Sequence, residues 1–438
     1  MKRSLFKQRR RSNETIGSGS AGVLYNKPIT RRINNGAVIV GQEMPGIDTA
    51  IILAMPFGYS DNPYLPHFLE HLTFRSKFPG SFHSSDIEIG RLSGIYDGYT
   101  TLDCMVLSVN VINKNAKDAL RILLHSAMTP AIFDESLNKE RRIIAGELRE
   151  RRSNPNFSLD ESLEYALFSN TGISLDTETL KGIKDVSAEE LKEFRKKYIG
   201  AKNLHLAIVG GNVRKSLDYA ESIISEFPNK GHKLHRFKLP ETYSGIEINI
   251  KKGGYETTTI KIGALTPGYG TDEVLYDRLC IEAALNILWG SANEYGSRSK
   301  LWSVLRDKMG IIYSTISTSS LYSGIGFAEC SIGGITTKYL GDVKSSILDE
   351  IEKLGRFPIS DRIVNEAVDS LIVNEARLLL SSHINVAEYL LFSTMGNENP
   401  MFRRYEKTLR SLTPNDIRVA TRKYLNSDRL FVATLSGA

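Results

Sequence analysis

The chain has 438 residues, of which 41% are hydrophobic and 24% are charged, and its formal net charge is +6. At about 100–200 residues per domain this length predicts two to four domains, and the composition excludes a disordered chain, a collagen and a coiled coil. No stretch approaches the roughly 18 consecutive apolar residues of a membrane-spanning helix, so we expect no transmembrane segment.

The N-terminal segment is strongly basic, because residues 1–11 contain six Lys and Arg residues and no acidic residue. It could contact nucleic acid or a membrane surface, but a solvated terminus is favoured, since neither interleaved aromatic residues nor an RNA-binding motif accompanies it. It lacks the apolar stretch of a secretory signal. The widely spaced Cys104, Cys280 and Cys330 form no disulfide framework and fit a reducing compartment. We therefore expect a cytoplasmic protein with neither nucleic acid nor membrane as a partner.

Short strands alternate with helices along the chain. Apolar patterns predict strands at 37–44, 48–57 and 103–111, and the first two are expected to pair as a hairpin around Pro45 and Gly46. Apolar residues at helical spacing predict helices at 116–128 and 135–152. In the second half, strands are predicted at 257–266 and 324–333 and a helix at 342–354.

The two halves of the chain are similar in sequence at one constant offset. Residues 186–211 match residues 412–437, with the predicted helix caps Ser187 and Thr413 in register (413 − 187 = 226) and Tyr198 and Tyr424 at the same offset (424 − 198 = 226). Residues 138–148 and 365–373 match in that register too. The repeat predicts two copies of one α+β unit, each a mainly antiparallel sheet covered by helices. The predicted boundaries are a basic arm at 1–29, an N-terminal domain at 30–226, a linker at 227–245 and a C-terminal domain at 246–438.

The segment HFLEH at 67–71 carries the first candidate site. Pro66 suits the first turn of a helix, on which His67 and His71 lie one turn apart on one face with Glu70 beside them. Two imidazoles and a carboxylate form the beginning of a zinc site with a general base. Eight histidines produce such a motif by chance on the order of once in a hundred chains, so a surface helix is the alternative.

A second helix supplies the missing ligand. Glu140 and Glu147 fall on the same face as the apolar residues Leu137, Ile144 and Leu148. Carboxylates on an apolar face are unfavourable unless a cation pairs with them. That cation could be an Arg or Lys of a neighbouring element, but the histidine helix offers a complementary divalent metal site.

These motifs resemble those of the pitrilysin/insulinase family of zinc peptidases, in which HxxEH is followed about 76 residues later by a glutamate ligand, with another glutamate seven residues before that ligand. Here 147 − 71 = 76 and 147 − 140 = 7. The segments NGAVIV, GYSDNP, HFLEHLTF and KERRIIAGELRE also fit, and the resemblance spans about residues 30–438. It points to the half-length branch that includes the mitochondrial processing peptidase and its prokaryotic relatives.

The resemblance implies the metallohydrolase fold of the processing peptidases and a zinc-dependent endopeptidase. One zinc ion per chain would be held by His67, His71 and Glu147. Glu70 would activate the attacking water, and Glu140 would orient the site without binding the metal.

The second half resembles the family's C-terminal signature at LWSVLRDKMGIIYS, residues 301–314. The resemblance assigns Arg306 and Tyr313, seven residues apart, to substrate contact and oxyanion stabilisation. A buried strand tyrosine is the alternative for Tyr313. The second copy has lost the metal site, since 280–290, the expected counterpart of the motif helix, has no histidine and Val373 stands at the repeat position of Glu147.

One segment departs from the family, because Asp97 and Gly98 replace the usual Asn-Ala beside the substrate. We expect backbone pairing with an extended peptide at a sheet edge to persist, whereas substrate preference changes. The family encloses short or unfolded peptides in a chamber of four such domains. This chain has two, which implies a homodimer with Arg306 and Tyr313 acting across the interface, and a heterodimer with a related chain stays open.

Two other functions are alternatives. The first is a non-catalytic or partner-dependent peptide-binding subunit of the same family, against which the intact His67, Glu70, His71 and Glu147 argue. The second is a nucleic-acid binder that uses the basic arm and would bind with steep salt dependence.

Overall fold

The computed structural model describes residues 20–77, 80–169, 171, 173, 178–202, 204–231, 234, 236–254, 256–290, 299–312 and 315–437. Its described strands are β1 (Ile29–Arg32), β2 (Val38–Glu43), β3 (Asp48–Met55), β4 (Ile95–Thr100), β5 (Met105–Ile112), β6 (His205–Gly210), β7 (Glu247–Lys251), β8 (Thr258–Thr266), β9 (Ile316–Leu321), β10 (Gly326–Ile335) and β11 (Phe431–Ser436). They form a six-stranded and a five-stranded sheet.

The helices cover these two sheets. They are α1 (Leu65–Phe74), α2 (Ser85–Arg91), α3 (Ala116–Met128), α4 (Asp134–Ser153), α5 (Pro155–Ser169), α6 (Leu180–Asp185), α7 (Ala188–Tyr198), α8 (Val213–Ile224), α9 (Asp272–Trp289), α10 (Leu340–Arg356), α11 (Asp361–Ser381), α12 (His383–Gly396), α13 (Phe402–Arg410) and α14 (Pro414–Tyr424). A 3-10 helix at Ser20–Tyr25 precedes β1, and a π-helical segment lies at Trp302–Lys308. None of the described helices has the length and apolar character needed to cross a membrane.

The first sheet has the strand order β1-β2-β6-β3-β5-β4. β6 is parallel to β2 and antiparallel to β3, so the predicted hairpin of β2 with β3 is wrong. The reason is that β6 is buried along its whole length and its backbone groups therefore need a hydrogen-bonding neighbour on each side. Apart from the β2–β6 pair the sheet is antiparallel, as predicted.

The second sheet repeats this topology with the order β7-β11-β8-β10-β9. β11 is parallel to β7 and antiparallel to β8, just as β6 is to β2 and β3. The predicted offset holds in the structure, since β6 begins at His205 and β11 at Phe431 (431 − 205 = 226). Ser187 and Thr413 form the predicted capping boxes at the starts of α7 and α14. The α+β fold of two similar units is therefore confirmed.

Each half of the chain contributes one helix to the sheet of the other half. Along β3, Ile51 and Leu53 pack into the core under α1, α3 and α7, whereas Ala50 and Ile52 face a core shared with α12. In turn, Leu163 of α5 lies in one hydrophobic cluster with Phe431 of β11, a strand of the second sheet. Each packed unit therefore includes one helix from the other half of the sequence. The domain boundaries, which follow the sequence alone, remain a prediction.

β4 lies at one edge of the first sheet, where it pairs with β5 and with no other described strand. Its burial increases from Ile95 to Thr100. α1 lies beside this strand and also packs against α4. The edge strand, the motif helix and the helix that carries Glu147 therefore meet at one place.

Candidate active site

The motif helix α1 is started by a local hydrogen-bonded turn. The Asn62 side chain accepts hydrogen bonds from the backbone N–H groups of Tyr64 and Leu65, at 2.9 and 2.8 Å. Pro66 occupies the first turn, as predicted, where its missing N–H is not needed. From this start the helix carries His67 and His71 on one face.

Three ligand atoms converge where α1 meets α4. The Nε2 atoms of His67 and His71 lie 3.2 Å apart, and Oε2 of Glu147 lies 3.5 and 3.6 Å from them. These side chains form the candidate metal-binding group of the described residues. Tetrahedral zinc with bonds of about 2.0–2.1 Å keeps its ligand atoms ~3.4 Å apart, so the triangle fits.

Carboxylates determine which nitrogen of each histidine is free. Nδ1 of His67 lies 2.8 Å from Glu178, and Nδ1 of His71 lies 3.0 Å from Glu140. An ionised carboxylate only accepts hydrogen bonds, so each Nδ1 carries a proton, and each Nε2 presents a lone pair whenever the imidazole is neutral. Two lone pairs and a carboxylate oxygen facing one another require a cation between them, which is the arrangement seen around protein-bound zinc.

Arginines and helix contacts fix the two supporting carboxylates. Glu178 accepts a hydrogen bond from Arg151 at 2.9 Å, and its backbone carbonyl accepts one from Arg152 at 2.7 Å. Glu140 accepts a hydrogen bond from Arg75 at 3.0 Å. Both Glu140 and Glu178 are buried. The orientation of the histidine rings is therefore held from two sides.

The charges around the site favour a cation between the converging side chains. Burial opposes protonation of His67, but the carboxylates of Glu147 and Glu178 outweigh it and raise the pKa of His67 to about 9. The hydrogen bond with His67 lowers the pKa of Glu147. Burial would raise the pKa of Glu140, but His71 and Arg75 together lower it. Without a metal ion, a proton on His67 supplies the positive charge that the converging acceptors need.

Nε2 of His67, Nε2 of His71 and Oε2 of Glu147 are here called the ligand triangle. Glu70 lies beside it, under the edge strand β4. Its Oε2 accepts a hydrogen bond from the Thr100 hydroxyl at 2.7 Å. A Cβ atom at Gly98 would lie 3.4 Å from Oε1 and 3.0 Å from Cγ of Glu70, so the absence of a side chain there gives the carboxylate its space. Burial raises the pKa of Glu70, which suits a group that must both accept and release a proton.

A cleft of about 560 Å³ opens over these groups. Its far wall is aromatic, with the Phe74 and Tyr96 rings 4.5 Å apart between centroids. The lining residues are Tyr59, His67, Glu70, His71, Phe74, Arg75, Tyr96, Asp97, Gly98, Tyr99, Thr100, Ile143, Glu147 and Arg151. β4 therefore forms one wall of the cleft and presents its unpaired edge there.

The predicted residues of β4 lie at the cleft in different ways. Gly98 faces Glu70, whereas strand alternation directs the Asp97 side chain to the opposite face, the face on which Tyr99 donates a hydrogen bond to Glu388 of α12 at 2.9 Å. The backbone of Asp97, rather than its side chain, would therefore make the predicted substrate contact. This contact remains a prediction.

The second half of the chain does not reach the cleft among the described residues. Arg306 lies in the π-helical segment and donates a hydrogen bond to the carbonyl oxygen of Ile312 at 3.0 Å. It is not part of the cleft lining of its own chain. Tyr313 lies outside the described residues.

Sequence reasoning missed Glu178. It lies just before Thr179, which caps α6, and the Thr179 hydroxyl meets the Tyr64 hydroxyl at 3.2 Å beside the start of α1. No spacing rule connects it with the motif. The available signal was that each of two metal-bound imidazoles needs a partner on its second ring nitrogen, and Glu140 can serve only one of them.

Models of one peptidase family match both halves of the chain. The family model "Insulinase (Peptidase family M16)" matches residues 59–208, which include the motif helix, and the model "Peptidase M16 inactive domain" matches residues 185–371. An uncharacterized zinc protease of Rickettsia felis is 26% identical over 303 residues, which cover 67% of this chain and 70% of that protein.

Longer matches extend over most of the chain. A probable mitochondrial-processing peptidase subunit alpha-1 of Arabidopsis thaliana is 22% identical over 408 residues, 90% of this chain and 78% of that protein. The crystal structure of a protease from Helicobacter pylori superimposes with a TM-score of 0.79 at 18% identity, covering 94% of this chain and 99% of that one. The chain belongs to the insulinase family of peptidases, family M16.

Proposed function

We propose that the protein is a zinc-dependent endopeptidase that cleaves short or unfolded peptides. The observation that carries this proposal is the convergence of His67, His71 and Glu147, with ligand atoms 3.2–3.6 Å apart, next to the buried carboxylate of Glu70. Relatives named zinc proteases support the choice of metal.

His67, His71 and Glu147 would hold the zinc ion, and Glu178 and Glu140 would keep the two imidazoles in the required tautomer. When bound, zinc supplies a Lewis acid that polarises the peptide carbonyl and promotes ionisation of water. Glu70 accepts the proton of the attacking water and passes it to the leaving amine. Thr100 holds one Glu70 oxygen and leaves the other free for this transfer.

The substrate would lie as an additional strand along β4. Its backbone would pair with the free edge of that strand, which places a scissile peptide between Gly98 and the ligand triangle. Phe74 and Tyr96 would receive an apolar side chain of the substrate. An extended conformation favours short or unfolded peptides over folded proteins.

The assembly would be a homodimer. Arg306 does not line the cleft of its own chain, so stabilisation of the oxyanion by Arg306 and Tyr313 would come from a second copy. A related chain could take the place of that copy, as the relatives named as mitochondrial-processing peptidase subunits suggest. The buried free thiols of Cys104, Cys280 and Cys330 support a reducing compartment, and we propose the cytoplasm.

A partner-dependent peptide-binding subunit is the second candidate. It is favoured by one observation, namely that the described residues of a single chain supply no basic side chain of the second half to the cleft. In that case the zinc site would be intact but inactive until another chain completes it.

The test is cleavage of a mixed pool of peptides of about 10–30 residues by the zinc-loaded protein, with Glu70→Gln in parallel and products read by mass spectrometry. We expect cleavage by the wild type alone. Equal cleavage by both proteins would overturn the role of Glu70. Cleavage by neither would favour the partner-dependent subunit.

A further inference from the structure

The second half contains a cavity at the position that corresponds to the catalytic cleft. The cleft lies between α1, β4 and α4, and the cavity, of about 270 Å³, lies between their repeat counterparts α9, β9 and α11. On α9, Glu282, Leu285 and Asn286 reproduce the spacing of the three motif residues His67, Glu70 and His71. The metal ligands have gone, but a solvent-accessible cavity remains in the same place.

Several hydrogen-bond acceptors without a donor partner among the described residues line this cavity. Glu375 lines it and makes no hydrogen bond or ion pair with any described residue. Glu282 lies 3.6 Å from the guanidinium of Arg278, whose two terminal nitrogens are already engaged by Glu398 at 2.9 and 3.2 Å. Oδ1 of Asn374 is buried and accepts no hydrogen bond from the described residues.

The cavity is also short of positive charge. Three carboxylates, those of Glu282, Glu375 and Glu398, share the single cation Arg278 among the described residues of this cluster. Burial and the nearby Glu282 charge raise the pKa of Glu375 to about 7. Partly buried carboxylates without a cationic partner of their own are unfavourable, so this region favours a ligand that carries positive charge.

Tyr405 adds an unpartnered polar group. It is 9% exposed, lines the cavity beside Glu282 and Glu375, and its hydroxyl makes no hydrogen bond with a described residue. Leu285, Leu371 and Leu378 supply apolar surface in the same wall. Apolar surface that leads to acceptors and negative charge matches a side chain with an aliphatic stem and a cationic head rich in donors.

We propose that this cavity is a binding site for the arginine side chain of a basic peptide segment, with Glu375 and Glu282 as the residues that bind the guanidinium group. The site is separate from the metal site, and binding there does not depend on peptide cleavage. Arginine fits better than lysine, because its planar group donates in several directions at once, as the separated acceptors require.

One source of such a segment is the chain itself. The 3-10 helix at Ser20–Tyr25 packs on α11 and α13, the helices that supply Glu375 and Tyr405, and the Tyr25 hydroxyl donates a hydrogen bond to Glu406 at 2.9 Å. Three arginines occupy positions 9–11 in the sequence, and Arg11 precedes Ser20 by nine residues (20 − 11 = 9). An extended chain of that length reaches up to about 30 Å. A separate basic peptide is the other source.

The experiment measures binding of a fluorescein-labelled peptide with the sequence of residues 2–13 by anisotropy at 0.15 M salt. The protein is full-length and zinc-loaded, in a Glu70→Gln background so that the peptide stays intact. We expect at least tenfold weaker binding for Glu375→Gln and for Glu282→Gln, and unchanged binding for Glu366→Gln, an exposed glutamate of the same helix α11. Replacing the three arginines of the peptide with glutamine should weaken binding to the same extent.

Deletion of residues 2–11 distinguishes the two sources. If the chain's own arginines occupy the cavity, the deletion variant binds the added peptide at least fivefold more tightly than the full chain, because the competing segment is gone. Equal affinity of the two proteins assigns the site to a separate peptide. Unchanged binding in both glutamate variants, or full binding of the peptide without arginines, would overturn the proposal. The peptide change alters no residue of the protein, so this outcome does not depend on how the variants fold.

Discussion

Nδ1 of His67 lies 2.8 Å from a carboxylate oxygen of Glu178, a residue 111 positions further along the chain. This contact commits the other ring nitrogen of His67 to the ligand triangle, and Glu140 does the same for His71 at 3.0 Å. The chemistry of the site therefore depends on residues outside the motif as well as within it.

Substitution of Glu178 should weaken metal binding without removing a ligand. Glu178→Gln loses the charge that stabilises the His67 tautomer, so we expect zinc affinity to fall by roughly 10–100-fold. Competition with a chelator measures this. Glu150→Gln, an exposed glutamate on α4, serves as the control and should leave the affinity unchanged. An unaltered affinity in Glu178→Gln would show that the contact is structural only.

A methyl group added at Gly98 should impair proton transfer by Glu70 and leave zinc binding unchanged. The added Cβ of Gly98→Ala would lie 3.0 Å from Cγ of Glu70, so the carboxylate must shift by a few tenths of an ångström. Because misplacement of a catalytic group by ~1 Å costs about 100-fold, we expect a loss of roughly tenfold in kcat with full zinc content.

Gly146→Ala is the matched control for this change. Gly146 lies in α4 with no atom within 4 Å of its added Cβ, so the variant should keep wild-type kcat and gain up to ~1 kcal/mol of stability. A normal kcat in Gly98→Ala would contradict the position assigned to Glu70.

Stability should fall below neutral pH because of His205. This histidine is buried in β6 with Nδ1 3.3 Å from the Thr394 hydroxyl of α12, and burial, assisted by the Arg32 charge, lowers its pKa to about 3. The unfolded chain has a histidine pKa of about 6.5, so it binds a proton that the folded chain does not, and the free energy of unfolding decreases as the pH falls from about 6.5 towards 3.

The expected size of this effect is roughly 1.4 kcal/mol between pH 7.5 and 5.5. Urea unfolding at both pH values measures it, and the dependence should be smaller by that amount in His205→Gln. His83→Gln, at a partly exposed histidine that contacts Arg91, should keep the wild-type dependence. An identical pH dependence in wild type and His205→Gln would contradict a buried neutral His205.

Mixing two inactive variants should restore activity if Arg306 acts across a dimer. Glu70→Gln lacks the base, and we expect Arg306→Ala to lack the stabilising cation. In a two-fold symmetric dimer a mixed pair has one site with both groups intact. Random exchange of subunits should therefore restore about a quarter of the wild-type rate. A mixture as inactive as its two components would place Arg306 in the site of its own chain, and an active Arg306→Ala variant would place Arg306 outside catalysis.

The sequence predicts much of the fold through its repeat. Adding 226 residues to the bounds of α7 and β6 gives the bounds of α14 and β11. This works because capping residues and strand lengths are determined locally. The insertion of β6 between β2 and β3 was not predicted, since strand order is decided by distant pairing rather than by the intervening turn. The exchange of α5 and α12 was missed for the same reason.

The convergence of His67, His71 and Glu147 could be predicted because helical spacing alone brings the two histidines together and because Glu147 lies on an apolar helix face, whereas their role as metal ligands stays a prediction. Glu178 could not, since a loop residue is placed by contacts such as those with Arg151 and Arg152 that no periodicity encodes. The Glu70–Thr100 hydrogen bond also depends on the position of an edge strand relative to a helix.

The proposed zinc site is tested most directly by the rate of peptide cleavage as zinc is added to the metal-free protein. We expect no cleavage without zinc and a linear increase that reaches its plateau at one zinc ion per chain, with no activity at any zinc concentration in His71→Ala. Cleavage by the metal-free protein, or a plateau unaffected by His71→Ala, would contradict the assignment of a zinc peptidase site to His67, His71 and Glu147.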